Sequence, residues 1–320
     1  MTQLSMTRLC VTSRCGTGNA LCLVAGIVLL YAAPLAAMNA TDNSYCGAAQ
    51  QTHFTLFSER LQDAQLDDSS PDGSSRISYE NRGISSNLVT SRSGEQTTSI
   101  GLDYSYTILG FAGAAAADTN GHLHSFIIPV TGRQDTKDHT LVYYLAPAVS
   151  VSSNALKDPE LLDADALQLR AGLWYRKVLD GEHAWFTGLR ADYRFGPYRI
   201  YPVAGYCWKP DDLWQLQLAL PDFSITRYFA GGVSISLFAS PQGNRWHVFS
   251  RDKTRDSDLS YNSIVSGLSL DWQMNPSIRV SIGIIGHNRR RLSYLDETGA
   301  TRETSARSAV GYAASADIIF

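Results

Sequence analysis

The feature that most constrains this chain is a period of two. In residues 99–108, Ile100, Leu102, Tyr104, Tyr106 and Ile108 share one face, and Ser99, Gly101, Asp103, Ser105 and Thr107 share the other. Residues 167–176 place Leu167, Leu169, Ala171, Leu173 and Tyr175 opposite Gln168, Arg170, Gly172, Trp174 and Arg176. Residues 185–195 set Trp185, Thr187, Leu189, Ala191, Tyr193 and Phe195 against Phe186, Gly188, Arg190, Asp192 and Arg194. Residues 278–287 repeat the pattern, with Ile278, Val280, Ile282 and Ile284 against Arg279, Ser281, Gly283 and His287. Successive side chains of a strand point to opposite faces, whereas a helix repeats every ~3.6 residues. These stretches therefore read as strands with one apolar face and one polar, often charged, face.

Past residue 40 no segment is long and apolar enough for a membrane helix, which needs about 20 such residues. Any later crossing must use strands, and hydrocarbon offers unpaired amides no partner, so the strands must close into a barrel. Charged residues make up only 18% of the chain while Tyr numbers 16, a balance suited to strands that meet lipid on one side and water on the other. The N-terminus supplies a route out of the cytoplasm. Arg8 and Arg14, the apolar run Ala20–Leu35 and the small Ala36 and Ala37 read as a cleaved secretory signal over residues 1–37, with Ala40 a further cleavage position and Met6 an alternative start. Of 27 basic residues the leader removes two and of 30 acidic residues none, so the mature chain is mildly acidic. A chain so charged has no broad attraction for nucleic acid.

The expected fold is all-β: a single transmembrane antiparallel barrel over residues 74–320, in the outer membrane of a Gram-negative cell with its lipid as partner. Each spanning strand takes about 9–11 residues, and bacterial single-chain barrels have even strand numbers, which gives about twelve strands within a range of ten to fourteen. The polar residues 38–73 read as a periplasmic tail or short plug with no fold of their own. Further strands are expected over 75–90, 122–131, 139–152, 198–208, 213–220, 223–239, 244–251 and 259–273. Turns are expected at Asp180-Gly181, Gly196-Pro197, Pro210-Asp211-Asp212, Pro221-Asp222 and Pro241-Gln242-Gly243-Asn244, and longer loops at Asp252–Asp258 and Arg289–Ala306.

Phe320 ends the chain with Ile318, Ala316, Ala314 and Tyr312 on its face. This resembles the terminal-strand signature of outer-membrane proteins that the barrel-assembly machinery reads, although the two alanines are smaller than usual. A second likeness lies in Tyr201–Phe249. There Pro202 and Gly205 mark one strand, Lys209-Pro210 precedes the alternating Trp214, Leu216, Leu218 and Leu220, Pro221 follows, and Gly243, Arg245 and Trp246 close the pattern. This resembles the core of an uncharacterised outer-membrane barrel family whose domain is of unknown function. The resemblance implies an exported barrel and no catalytic residues.

On the polar faces, Arg170, Arg176, Arg190, Arg194 and Arg279 accompany Asp103, Asp192 and Asp271. They are candidate lumen residues. One reading is a charged constriction whose arginine excess favours small anionic solutes. The other is a ladder of salt bridges that fills a narrow barrel, since buried charge is tolerated when paired.

No catalytic residue, metal ligand or cofactor is assigned. His122 and His124 fall on one side of a strand but have no third ligand. His124 and Ser125 are adjacent and point to opposite faces, so they cannot act as base and nucleophile together. Asp211-Asp212 is explained by a turn, and Gly231-Gly232 by a bend or turn. Cys10, Cys15 and Cys22 belong to the leader, leaving Cys46 and Cys207, which either form one disulfide in an oxidising compartment or stand as two free thiols. Three functions follow: a small-solute pore or structural barrel without catalysis, a surface enzyme acting on lipid or peptide, or an adhesion barrel acting through loops that carry Arg289-Arg290-Arg291.

Overall fold

The computed structural model describes residues 45–46, 52–67, 75–112, 121–158, 160, 162–250, 256–295 and 300–320. The expected leader and its cleavage position lie outside these residues, as does most of the segment 38–73. The strands, in chain order, are β1 (His53–Gln65), β2 (Arg76–Ser93), β3 (Gln96–Ala112), β4 (His122–Ile127), β5 (Val130–Asp135), β6 (His139–Ser152), β7 (Leu167–Val178) and β8 (His183–Asp192). They continue with β9 (Arg199–Asp211), β10 (Trp214–Leu220), β11 (Phe223–Phe229), β12 (Val233–Phe249), β13 (Asp256–Asn275), β14 (Ile278–Leu295), β15 (Thr301–Ala306) and β16 (Ala309–Ile319). A helix α1 (Ser153–Lys157) and a single 3-10 turn (Ala164–Ala166) lie between β6 and β7.

The strands form one antiparallel sheet that closes on itself. β4 and β5 share one place between β3 and β6, and β15 and β16 lie along successive parts of β14, so the ring has 14 places. β13 pairs with β14 and β1 with β16, which completes the closure. The ring therefore exceeds the expected twelve by two. One reason is β1, which occupies residues read as an unstructured tail. Another is the brevity of connections such as Asp212-Leu213, Pro221-Asp222 and Pro276-Ser277, which leaves more of the chain for strands.

Alternation decides which side chains face out. Leu173 is 54% exposed, Leu189 57% and Ile284 65%, while their strand neighbours Trp174, Phe186 and Ile285 are buried inside. Leu102, Leu145, Leu169, Leu237, Leu268, Ile282 and Tyr312 are likewise exposed on the exterior. β12 departs from expectation. Residues 241–244 do not turn: Pro241 pairs with Ile264 and Gly243 with Asn262 in a continuous strand. The reversal lies at Ala230–Gly232, where Gly231 and Gly232 adopt φ of +78° and +75°, a region open to glycine without steric cost. At Gly243 a Cβ would meet the Arg194 carbonyl at 2.6 Å and the Tyr261 carbonyl at 2.7 Å, so the residue permits close approach rather than a turn.

The expected loop over 289–306 is also mostly strand, outside the undescribed 296–299. Arg289, at φ +51°, sits where the β13–β14 register shifts between Asn262 and Ile264. Such a bulge adds a residue to one strand and reverses which face later side chains take. Arg290, Leu292 and Tyr294 consequently point inward and are buried. The three-arginine surface patch is thereby reduced to Arg289 and Arg291. Likewise Asp256 and Asp258, expected in a loop, open β13, while 251–255 lie outside the described residues.

Beyond Ala239, β12 outruns β11 and reaches β6, where His247 pairs with Val151. The interior beside this stretch, towards the β1–β2 and β12–β13 connections, is a packed core that includes Leu61, Ile77, Leu109, Leu123, Val248 and Leu259. We refer to this as the packed end. The opposite end carries short turns such as Gly94-Glu95 and Pro276-Ser277. Cys46 and Cys207 are bonded, with Cα atoms 5.6 Å apart. The bond brings Tyr45 against the inward-facing wall, stacked on Phe186 at 4.6 Å and edge-on to Trp174 at 5.1 Å.

Candidate functional site

Below the packed core the interior holds a cavity of about 180 Å³. Its wall includes Arg170, Arg190, Arg194 and Asp103, and residues of the packed core, Tyr79, Trp246 and Tyr261, close one side. Arg170 lies on β7 and Arg190 on β8, because alternation sends the even residues of these strands inward while Leu169 and Leu189 face out. Arg194 lies just beyond β8, and β12 contributes Ser240 through Asn244 to the lining beside the arginines.

The three arginines are held differently. Arg190 donates from Nε to Asp192 at 2.6 Å, and Tyr201 donates to the same carboxylate at 2.9 Å. Arg194 forks onto Asp222, with Nη1 and Nη2 at 3.0 and 2.5 Å, while its Nε reaches the Pro241 carbonyl at 2.9 Å. Ser240 donates to Asp222 at 2.7 Å and completes this clamp. A planar guanidinium matched to a carboxylate in this way is both directional and strong. Arg170 instead donates from Nη2 to the Asn244 amide oxygen at 3.1 Å, and its buried Nε has no hydrogen-bond partner among the described residues. Asp103 accepts from Ser85 at 2.6 Å.

The remaining lumen candidates lie elsewhere. Arg176 is inside on β7, where its buried Nε lacks a hydrogen-bond partner among the described residues. Asp271 accepts from Ser281 at 2.5 Å, and Arg279 lies 3.9 Å from Asp317, which also accepts from Thr55. The candidates therefore divide: Asp103, Arg170, Arg190 and Arg194 line the cavity, Asp192 braces Arg190 from behind, and Arg176, Asp271 and Arg279 belong to other parts of the ring.

Sequence reasoning missed a buried network in the packed end. His287 is fully buried between Glu59, on Nε2, and Tyr261 and Ser263, on Nδ1 at 2.8 and 3.0 Å. Arg290 donates to Tyr261 at 3.1 Å. Glu59 lay in the presumed tail and Arg290 in a presumed loop, so neither carried an alternation signal. Gln242 links this network to the cavity by donating to Glu59 at 3.4 Å.

His124 and Ser125 take opposite sides of β4. His124 meets Tyr104 at 3.0 Å and Ser153 at 2.8 Å, whereas Ser125 is buried inside and accepts from Asn244 at 2.8 Å and Trp246 at 3.0 Å. His122 sits beside Tyr106 at 2.5 Å. Asp211 caps its turn by accepting from the Leu213 amide at 2.8 Å.

A different cluster lies near the far end of β12. His247 pairs with Asp258, six residues before the apolar Ile264 of β13, and so stands beyond the exposed apolar band. Asp163, Asp256 and Asp258 surround it. The adjacent carboxylates, Asp258 foremost and then Asp163 and Asp256, hold the His247 pKa above its ordinary value against the opposing effect of burial.

Several solved structures are similar in outline. The Ralstonia pickettii toluene transporter TbuX is 10% identical over 85% of this chain and 90% of its own, with a TM-score of 0.38. The translocator domain of the Neisseria meningitidis autotransporter NalP is 10% identical over 93% and 97%, with a TM-score of 0.39. The Pseudomonas putida toluene transporter TodX is 9% identical over 88% and 92%, at 0.34. At these identities and scores nothing about solute or mechanism transfers to this chain. No curated protein matches it. The strand-rich segment that supplies most of the cavity wall, residues 96–303, matches one family as a unit, and the chain belongs to that family, described as Domain of unknown function (DUF6268).

Proposed function

We propose that this protein is an outer-membrane β-barrel that holds small anionic solutes in a lumen closed at one end, without catalysing a reaction on them. The membrane assignment is supported by the exterior. A soluble monomer rarely leaves a large contiguous apolar surface, yet Leu173, Leu189, Leu220, Leu237, Leu268 and Ile284 are all exposed around the ring. Aromatics such as Trp208, Trp272 and Phe320 are exposed near the short-turn end, as expected where a barrel meets headgroups.

The observation that carries the solute reading is Arg170. Arg190 and Arg194 have carboxylates hydrogen-bonded to them, whereas Arg170 meets a neutral amide and, among the described residues, keeps one buried donor unsatisfied at the cavity wall. An unsatisfied buried donor costs roughly 1–3 kcal/mol, more when charged, and an anion in the cavity would recover it. The packed core beyond Trp246 argues against a continuous water column.

The test uses the refolded protein in liposomes, with iodide, caesium and acrylamide as quenchers of tryptophan fluorescence. Iodide should quench a component that Trp246→Phe removes and that Arg170→Gln at least halves, while caesium leaves that component largely intact. Planar bilayers holding the same protein should show no steady current. Equal iodide quenching in Arg170→Gln would overturn the anion reading, a steady ohmic current would replace it with an open pore, and recovery of the protein in the aqueous fraction would remove the barrel from the membrane.

A further inference from the structure

The cluster around His247 makes no use of the lumen. The imidazole is 2% exposed, and its buried Nε2 has no hydrogen-bond partner among the described residues. That nitrogen points at two carboxylate oxygens, Oδ1 of Asp163 at 3.6 Å and Oδ2 of Asp256 at 3.9 Å. Both distances are too long for a charge-assisted hydrogen bond, which falls near 2.7–2.9 Å. The three donor atoms nevertheless lie within 4.8 Å of one another. A transition metal binds nitrogen and oxygen at about 2.0–2.2 Å, which sets neighbouring donors roughly 3–3.5 Å apart. A small inward movement of two exposed aspartates would therefore close this set around one ion.

We propose that His247, Asp163 and Asp256 form a binding site for a divalent transition-metal ion at the packed end. One imidazole and two carboxylates form a mixed nitrogen–oxygen donor set suited to zinc or manganese. Water fills the outward positions, because both aspartates are more than half exposed while the histidine is not. Asp258 approaches the other ring nitrogen, Nδ1, at 3.9 Å. A carboxylate there orients the ring and raises the basicity of the ligand. Asp163 has one oxygen already accepting from the Asp165 amide at 2.9 Å, which fixes it at the start of the 3-10 turn.

The placement gives the ion a role. Asp163 belongs to the β6–β7 connection, His247 to β12 and Asp256 to the first residue of β13. These meet where β12 leaves β11 behind and touches β6 at Val151. Three ligands from three segments would tie that connection down over a seam with little backbone pairing.

The test uses the full chain refolded in detergent micelles, stripped of metal and titrated with Co²⁺ alone, read by its visible absorption, and then with Zn²⁺ as competitor. One Co²⁺ per chain should bind and be displaced by zinc. His247→Gln should abolish the absorption, Asp163→Asn should weaken binding at least tenfold, and Asp258→Asn should weaken it about tenfold. Heat-dependent gel mobility identifies folded variants. Should His247→Gln fail to fold, Asp163→Asn and Asp256→Asn decide, since both side chains are exposed. Absence of Co²⁺ binding by the unaltered protein at millimolar concentration, or unchanged binding by folded Asp163→Asn and Asp256→Asn, would overturn the proposal.

Discussion

The two sides of the ring solve one problem in different ways. On the side formed by β12, β13 and β14, strands of 17, 20 and 18 residues extend beyond the exposed apolar band and fold their ends over a core of Leu259, Leu292 and Tyr294. On the side formed by β8, β10 and β11, strands of 10, 7 and 7 residues stop early. That leaves the edge of β12 beyond Ala239 without the backbone partner that β11 would have supplied. Side chains take over. Arg194 donates to the Pro241 carbonyl and Gln168 to the Arg245 carbonyl, while Asp222, in the β10–β11 turn, anchors Arg194. Pro241 suits this position because it has no N–H to leave unpaired on an open edge. The long wall is thus held by packing and ladder throughout, while on the short side a few side-chain clamps replace the ladder along the β12 edge, and this seam should be far more sensitive to single polar substitutions.

The sharpest way to break this contrast is Asp222→Ala. Asp222 is buried, and its loss takes from the enclosed Arg194 the carboxylate onto which it forks. Removing one partner of a buried pair costs about 3–5 kcal/mol. Urea unfolding of the refolded protein should show that loss, and hydrogen exchange should localise added opening to β8–β11. A cost near that of an exposed ion pair, under about 1 kcal/mol, would mean that the clamp is not what holds this wall. On the opposite wall, Leu259→Ala removes a fully buried side chain from the packed core and should cost about 2–4 kcal/mol through lost burial and a residual cavity. Its effect should be global, raising exchange throughout the β12–β14 hairpins together. If Leu259→Ala instead opened β8–β11 first, the two walls would not be energetically distinct.

The division also explains which parts of the molecule were legible in sequence. Where a strand crosses the apolar band, lipid-facing side chains are greasy and the inner ones polar, so β3, β7, β8 and the lower part of β14 showed clean alternation. Past the band the outer face becomes polar while the inner face becomes apolar, and the contrast fades or inverts. β1 was missed on this ground: its inward Phe57 and Leu61 alternate with exposed Arg60 and Gln62, which reads as a polar tail. The Arg289 bulge hid Arg290 and Leu292 in the same way, by changing the parity of the strand. Pro241 and Gly243 signal a turn in any local reading, and only the absence of a strand on one of its two edges makes them compatible with β12. Arg170 and Arg190 were legible because they lie on banded strands, and Arg194 because it continues the β8 alternation just past the strand's end, although the partners Asp222 and Asn244 were not. Nothing local could bring Asp163 to His247 and Asp256: those two face each other across the β12–β13 hairpin, whose start was read as a loop, while Asp163 comes from the β6–β7 connection.

The finest test of the contrast is Gln168→Ala. Gln168 is buried on β7, and its amide donates to the Arg245 carbonyl, standing in for one missing rung between β12 and a neighbouring strand. A single neutral hydrogen bond contributes about 0.5–1.5 kcal/mol net, and the carbonyl left behind adds to the cost only if water cannot reach it. The expected loss is therefore about 1 kcal/mol, several-fold below that of Asp222→Ala. Combined with Asp222→Ala, it should give a sum larger or smaller than the two single effects, because both substitutions act on the same free edge of β12. Strict additivity would mean that the β12 edge is held at two independent points rather than as one clamped seam, and the short wall would then be two local contacts on an otherwise self-sufficient strand.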